Sequence, residues 1–164
     1  MNPSKYSIWL LLSKEDEAYI SETIQLLGEE NDAPIFEPHC TLFSPISDLE
    51  LAKDIINEIS INPFQISTNG LNHSDLIWKS LFIELKTNIQ LTIMNQLFDQ
   101  SFAVDYDFQP HISLIYKELN MDTKKTIIEK LTVKNSYRMS SLAIVDTTGP
   151  VEMWETVHEV FLNK

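Results

Sequence analysis

Apolar positions along this chain switch between the period of a strand and the period of a helix, and the switches mark out its elements. Tyr6 to Leu12 is a short apolar and aromatic run of strand length. Ser13 followed by Asp16 supplies an N-cap signal, which predicts a helix next. Ile20, Ile24 and Leu27 recur at helical spacing before Gly28, with Glu22, Glu29 and Glu30 on the other side, and Pro34 ends the helix. His39 to Ser44 reads as a strand entered through Pro38, a residue tolerated at a strand's first position. Ser47 and Glu50 form a capping-box pattern ahead of the stripe Ala52, Ile55, Ile56 and Ile59, the second helix. Phe64 to Leu71 and Ile77 to Leu85 are predicted strands around the polar turn Asn72-His73-Ser74-Asp75. Asn88 caps a third helix that buries Met94, Leu97 and Phe98. Pro110 to Tyr116 is again a strand, and Ile127, Ile128 and Leu131 mark a fourth helix. Two last strands flank Thr148-Gly149-Pro150.

The order strand, helix, strand, helix, strand therefore occurs twice, and residues repeat with it. Ser7-Ile8-Trp9-Leu10-Leu11-Leu12 resembles Ser80-Leu81-Phe82-Ile83-Glu84-Leu85 in pattern. Trp9 lies 30 residues before His39 and Phe82 lies 29 before His111, in the segments Pro38-His39-Cys40-Thr41-Leu42 and Pro110-His111-Ile112-Ser113-Leu114. A second Pro-His-x-Ser/Thr-Leu frame would arise by chance on the order of once in several hundred sequences of this length. An internal duplication, roughly 5–72 and 76–162, explains it better. No linker or low-complexity stretch divides the chain, so one domain over 1–164 is expected. Its fold class is α+β: two pseudo-symmetric lobes, each an antiparallel sheet with outer helices, around a central cleft.

Composition narrows the partners. With 43% hydrophobic and 22% charged side chains in 164 residues, the chain can bury a real core, and intrinsic disorder is excluded. Twelve basic against 24 acidic residues give a net charge of −12, which opposes duplex DNA or long RNA. A small anion in a local pocket remains allowed. Arg138 is the sole arginine, so the bidentate clamps common at phosphate sites are missing and other donors must hold any phosphate. Cys40 is the only cysteine and there are four histidines, which excludes an intramolecular disulfide and predicts neither metal nor cofactor. The apolar run Ile8 to Leu12 is too short for a signal-peptide core or a membrane span. A cytoplasmic monomer without membrane partners is expected.

The repeated frame carries the chemistry. Residues i and i+2 of a strand share a face, so His39 points with Thr41, His111 points with Ser113, and Cys40 points away. Packed about a pseudo-two-fold, the halves bring two imidazoles and two hydroxyls to one cleft. Histidine titrates near neutrality, so one ring can act as base and the other as acid. The hydroxyls can donate to non-bridging phosphate oxygens in place of arginine. Hydrolysis of a phosphodiester needs these groups and no metal.

Over the whole chain, the paired His-x-Ser/Thr segments resemble the two-histidine (2H) phosphoesterase superfamily. Phe36-Glu37-Pro38-His39-Cys40-Thr41 and Ser7-Ile8-Trp9-Leu10 are most similar to the small cyclic phosphodiesterases of plants and yeast. The resemblance implies metal-independent hydrolysis of nucleoside 2′,3′-cyclic phosphates to 2′-phosphates, and opening of ADP-ribose 1″,2″-cyclic phosphate. It implies His39 and His111 as the catalytic pair, with His111 preferred as base. Thr41 and Ser113 become the phosphate-holding hydroxyls, Tyr116 lines the phosphate site and Trp9 borders the ligand pocket. Phe82 joins Trp9 through the internal repeat. Two alternatives stand beside this. One is a 2′,5′-phosphodiesterase on oligoadenylates or an RNA-end ligase-like relative, the latter disfavoured by the scarcity of arginine. The other is a nucleotide-phosphate binding module without catalysis.

Other residues have plainer readings. Cys40 is expected to pack the core, because strand neighbours cannot bond side chain to side chain. His73 and His158 are expected at the surface, and Trp78 and Trp154 in a core. Glu15-Asp16-Glu17 reads as a solvated helix start that suits the macrodipole.

Overall fold

In the computed structural model, which describes residues 3–163, the elements follow the expected order. They are β1 (Tyr6–Leu12), α1 (Lys14–Asn31), β2 (His39–Ile46), α2 (Leu49–Glu58), β3 (Phe64–His73), β4 (Leu81–Leu85), α3 (Ile89–Ser101), β5 (His111–Ile115), α4 (Met121–Lys130), β6 (Ser136–Asp146) and β7 (Glu155–Phe161). Met1, Asn2 and Lys164, included in the expected unit of 1–164, lie outside the described residues.

Each helix starts on a side-chain cap that satisfies an otherwise orphan backbone N–H. Ser13 Oγ accepts from Asp16 N at 3.4 Å, Asn88 Oδ1 from Leu91 N at 2.9 Å, and Asn120 Oδ1 from Thr123 N at 2.8 Å. For α2 the cap is Asp48, whose Oδ1 accepts from Leu51 N at 3.0 Å, and not Ser47 as the capping-box pattern suggested. Helix α1 runs through Gly28. A Cβ there would stand 2.3 Å from Ile35 Cδ1 and 3.0 Å from the Ala33 carbonyl, so this glycine serves the close return of the chain. In α3 the buried set is Leu91, Met94 and Phe98, while Leu97 is exposed. The predicted strand Ile77 to Leu85 is shorter at its start. Ser74 N donates to the Ser80 carbonyl at 3.1 Å and Ser74 Oγ to the Lys79 carbonyl, which closes Ile77–Lys79 into a 3-10 turn.

The strands form one antiparallel network in the order β1-β2-β5-β4-β3-β6-β7, and β1 also pairs with β6, which closes six of them into a ring. One lobe is β2, β1, β6 and β7; the other is β5, β4 and β3. They join at two seams: the start of β6 beside β3 (Phe64↔Met139 to Ser67↔Ser136) and a single pair, Cys40↔Ile112, between β2 and β5. Each half of the chain sends its third strand across, since β3 pairs with β4 and β6 with β1. Side chains alternate accordingly. On β1, Ile8, Leu10 and Leu12 enter the main core, which also takes the buried residues of the helices, while Trp9 and Leu11 pack on the other face with Ala143 and Val145.

Asp16 departs from its sequence reading. It is 7% exposed; its Oδ2 accepts from Arg138 N at 2.7 Å and its Oδ1 from Lys134 Nζ at 2.7 Å, tying the first turn of α1 to the approach and start of β6. Truncating it leaves a part-buried backbone N–H unpaired. Asp16→Ala is therefore expected to lower unfolding free energy by about 1–3 kcal/mol, measured by urea denaturation, with Asp16→Asn losing less.

Candidate active site

The Cys40↔Ile112 pair puts the middle residue of one motif opposite the middle residue of the other. Both side chains are fully buried on the core side, so His39 and Thr41 on β2, with His111 and Ser113 on β5, turn to the concave side. These four residues line a cleft of about 580 Å³. The repeat extends to the neighbouring strands. Trp9 on β1 sits opposite Thr41 and Phe82 on β4 opposite Ser113; Leu11 faces His39 and Glu84 faces His111.

Each imidazole is fixed in the same way. His39 Nδ1 lies 2.7 Å from the Glu37 carbonyl and His111 Nδ1 lies 2.7 Å from the Gln109 carbonyl. A carbonyl only accepts, so both rings carry the proton on Nδ1 and leave Nε2 for the cleft. Their surroundings differ. His39 is buried, its ring stacked on Trp9 with centroids 3.5 Å apart and met edge-on by Phe36 at 6.2 Å. Burial pulls its pKa down to about 3 against the opposing pull of the Glu37 carbonyl, and His111 adds to the lowering. His111 is half-buried, with the edge of Phe82 at 5.4 Å. Its pKa is also lowered, first by burial, partly offset by the Gln109 carbonyl, and further by the Lys79 ammonium.

The remaining expected residues distribute unevenly. Strict alternation would turn Tyr116 to the core face, but β5 ends at Ile115, and the Tyr116 hydroxyl comes within 3.4 Å of His39 Nε2. Trp9 lines the cleft as its inner wall, one face covered by His39. Phe82 does not line it; the ring sits behind His111 with the Lys79 ammonium 4.7 Å above it. Ser113 Oγ donates to the Trp78 carbonyl at 2.7 Å, so its proton must turn before it can reach a phosphate oxygen. Cys40 is fully buried, its thiol pushed up to about 12 by burial, as suits a core residue. His158 Nε2 meets Asn57 Oδ1 at 2.8 Å, and neither His158 nor His73 lines the cleft. Among the described residues no group of three or more His, Cys, Asp or Glu is placed to hold a metal ion, and no helix is long and apolar enough to cross a membrane.

Two tryptophans assigned to a core by their sequence context stand at the mouth instead. Trp78, 53% exposed, and the half-buried Trp154 have ring centroids 5.7 Å apart, and each also meets Tyr116, at 5.1 and 5.9 Å. Trp78 lies in, and Trp154 caps, a short 3-10 turn that follows β3 and β6 respectively, corresponding strands of the repeat. That shared position was the available signal, and it needed the repeat to be carried past β3 and β6. Lys79 also lines the cleft and donates to Gln109 Oε1 at 2.6 Å; a single lysine after a tryptophan carried no sequence signal.

Comparison with known proteins bears on the family and the fold. The family described as cyclic phosphodiesterase-like protein matches residues 5–162. The cyclic phosphodiesterase of Arabidopsis thaliana is 25% identical over 172 residues, covering 96% of this chain and 95% of that protein. Among solved structures, E. coli LigT complexed with 3′-AMP superposes with a TM-score of 0.63 at 14% identity, over 99% of this chain and 100% of LigT. LigT has also been solved with ATP. The protein TT0787 of Thermus thermophilus gives 0.65 at 12% identity, over 96% and 97% of the two chains. At these identities the structures share the fold.

Burial of neutral histidines links stability to pH. Unfolded, His39 takes a proton near its ordinary value of 6.5; folded, it stays neutral down to about 3. Its contribution is complete above pH 6.5 and is lost as pH falls from there toward 3, because the unfolded chain then binds more protons. Between pH 6.5 and 5 the wild type is expected to lose about 1–2 kcal/mol through His39. Urea denaturation across that range should show His39→Gln with the shallower pH dependence.

Proposed function

Since the chain belongs to the cyclic phosphodiesterase-like family and is a phosphodiesterase, we propose that it hydrolyses small ribose cyclic phosphates by paired-histidine catalysis. The substrates are nucleoside 2′,3′-cyclic phosphates, opened to 2′-phosphates, and ADP-ribose 1″,2″-cyclic phosphate. The carrying observation is the matched pair of imidazoles. Both rings are locked at Nδ1 by a carbonyl two residues upstream and both offer Nε2 to one cleft.

His111, half-buried and nearer solvent, is the base: its Nε2 takes a proton from water as the oxygen attacks phosphorus. His39 is the acid and passes its Nε2 proton to the departing ribose oxygen. The buried pair is neutral without an anion beside it, so the catalytic proton arrives with the phosphate, whose negative charge favours the imidazolium form. The two rings then titrate as a coupled pair. Thr41 donates to a non-bridging oxygen, and Ser113 does so once its hydroxyl leaves the Trp78 carbonyl. The aromatic mouth of Trp78, Trp154 and Tyr116 gives a base a surface on which to stack. The nucleotides held by LigT support a ligand of that size.

Turnover of adenosine 2′,3′-cyclic phosphate in excess chelator tests the reading. The wild type should release the 2′-phosphate with a bell-shaped pH dependence of kcat/KM. His39→Ala and His111→Ala should each lose about 10²–10⁴-fold in kcat. Binding without turnover would favour the non-catalytic module, and turnover only of 2′,5′-linked oligoadenylates the other phosphodiesterase. By calorimetry in buffers of different ionisation enthalpy, adenosine 2′-phosphate should take up protons on binding and bind more tightly at pH 6 than at pH 8.

A further inference from the structure

The repeat that pairs the two histidines pairs further positions, and there the halves differ in charge. At each 3-10 turn of the cleft mouth a tryptophan is followed by a charged residue, Lys79 after Trp78 and Glu155 after Trp154. The carbonyl that fixes each imidazole belongs to Gln109 for His111 and to Glu37 for His39. Lys79 lines the cleft with His111 and Gln109. Glu37 and Glu155 line a second cavity of about 270 Å³, on whose wall stands Trp9, the ring stacked on His39. A cation therefore attends one histidine, and carboxylates stand on the side of the other.

Lys79 is held in its place. Its N–H donates to the Leu76 carbonyl at 3.0 Å and its carbonyl accepts from Ser74 Oγ. The Ser74 carbonyl in turn accepts from Lys124 Nζ at 2.7 Å, a lysine only 3% exposed. The Lys79 ammonium donates to Gln109 Oε1 at 2.6 Å and stands 4.7 Å from the centroid of Phe82, whose edge meets His111. Its partners are an amide and a ring, and among the described residues no carboxylate forms an ion pair with it. The other titratable groups around His111 are engaged or neutral. Asp107 accepts from Gln109 Nε2 at 2.8 Å, and Glu84, opposite His111 on β4, accepts from Asn69 Nδ2 at 3.4 Å. His39 is neutral, and burial raises the Cys40 thiol and the Tyr106 and Tyr116 hydroxyls, which stay protonated. The Lys79 charge acts on the His111 ring and disfavours its imidazolium form. Burial alone would send a shared proton to His111, the less enclosed of the two rings, and the ammonium opposes that. We propose that Lys79 is a positioning residue of the hydrolysis, which makes His111 the base through its charge and through its hold on Gln109. This rests on the hydrolytic reading above and specifies what divides its two histidines.

The test reads His111 directly and then the reaction. In the ligand-free protein with 13C-labelled imidazoles, NMR titration follows His111, identified as the signal lost in His111→Gln. Lys79→Met should raise its pKa by about 0.5–1 pH unit and Lys79→Glu by more, while Lys79→Arg keeps it near the wild-type value. With adenosine 2′,3′-cyclic phosphate as substrate, the acidic limb of kcat/KM should move to higher pH by the same amount in Lys79→Met. KM above the limb should stay within about twofold of wild type, and Lys79→Arg should restore the wild-type profile. An unmoved His111 titration in Lys79→Met would overturn the proposal. So would a limb that stays in place while KM rises several-fold, the mark of a lysine that touches the phosphate, and so would equal losses in Lys79→Met and Lys79→Arg, the mark of a structural side chain. A wild type that turns over no cyclic phosphate would overturn the hydrolytic reading, and the role of Lys79 with it, whatever the titration shows.

Discussion

The site is counted outward from one residue pair. Cys40 opposite Ile112 is where β2 meets β5, and each is the middle residue of its own motif. Antiparallel pairing about that point puts His39 in one row with Ser113 and Thr41 in the next with His111. Both central side chains are fully buried, which commits the flanking residues to the concave face. A slip of one residue would invert that face for the whole strand. The resistance to a slip comes from the core: Cys40, Leu42, Ile112 and Leu114 would all have to leave it together.

Symmetry of the backbone does not make the two imidazoles equivalent. Each is tied through Nδ1 to a carbonyl, yet the rings that surround them differ. Trp9 stacks flat on His39, whereas Phe82 meets His111 with its edge and carries the Lys79 ammonium. One repeat therefore yields a sealed ring and a half-open one. The difference comes from packing around two like residues, and the proposed division into acid and base would use it.

Legibility followed period and pairing. Strands and helices with clean apolar repeats, such as β1 and α1, fall where their spacing puts them, and the four motif residues meet because alternation fixes their face. What failed were residues whose place depends on a loop. Trp78 looked like part of a strand, but hydrogen bonds from Ser74 close its segment into a turn and swing the ring to the mouth. Trp154 follows a similar turn. Asp16 looked like one of three solvated acids; its burial depends on Arg138 and Lys134, more than a hundred residues away. Tyr116 reaches His39 only because β5 stops one residue earlier, a boundary that no periodicity marks.

The crossing of β3 and β6 has a consequence for ancestry. Neither half of the chain completes a lobe from its own strands: β3 finds partners only in β4 and β6, and β6 in β1, β3 and β7. A lone first half would leave β3 unpaired and a lone second half would hold β6 against β7 alone, with edges open to association. In this chain the two halves satisfy each other by trading that strand, as two subunits of a domain-swapped dimer would. Duplication and fusion of its gene would turn that intermolecular trade into an intramolecular one. A cleft between the two copies would then come to be lined by one polypeptide, and its two histidines would be free to diverge.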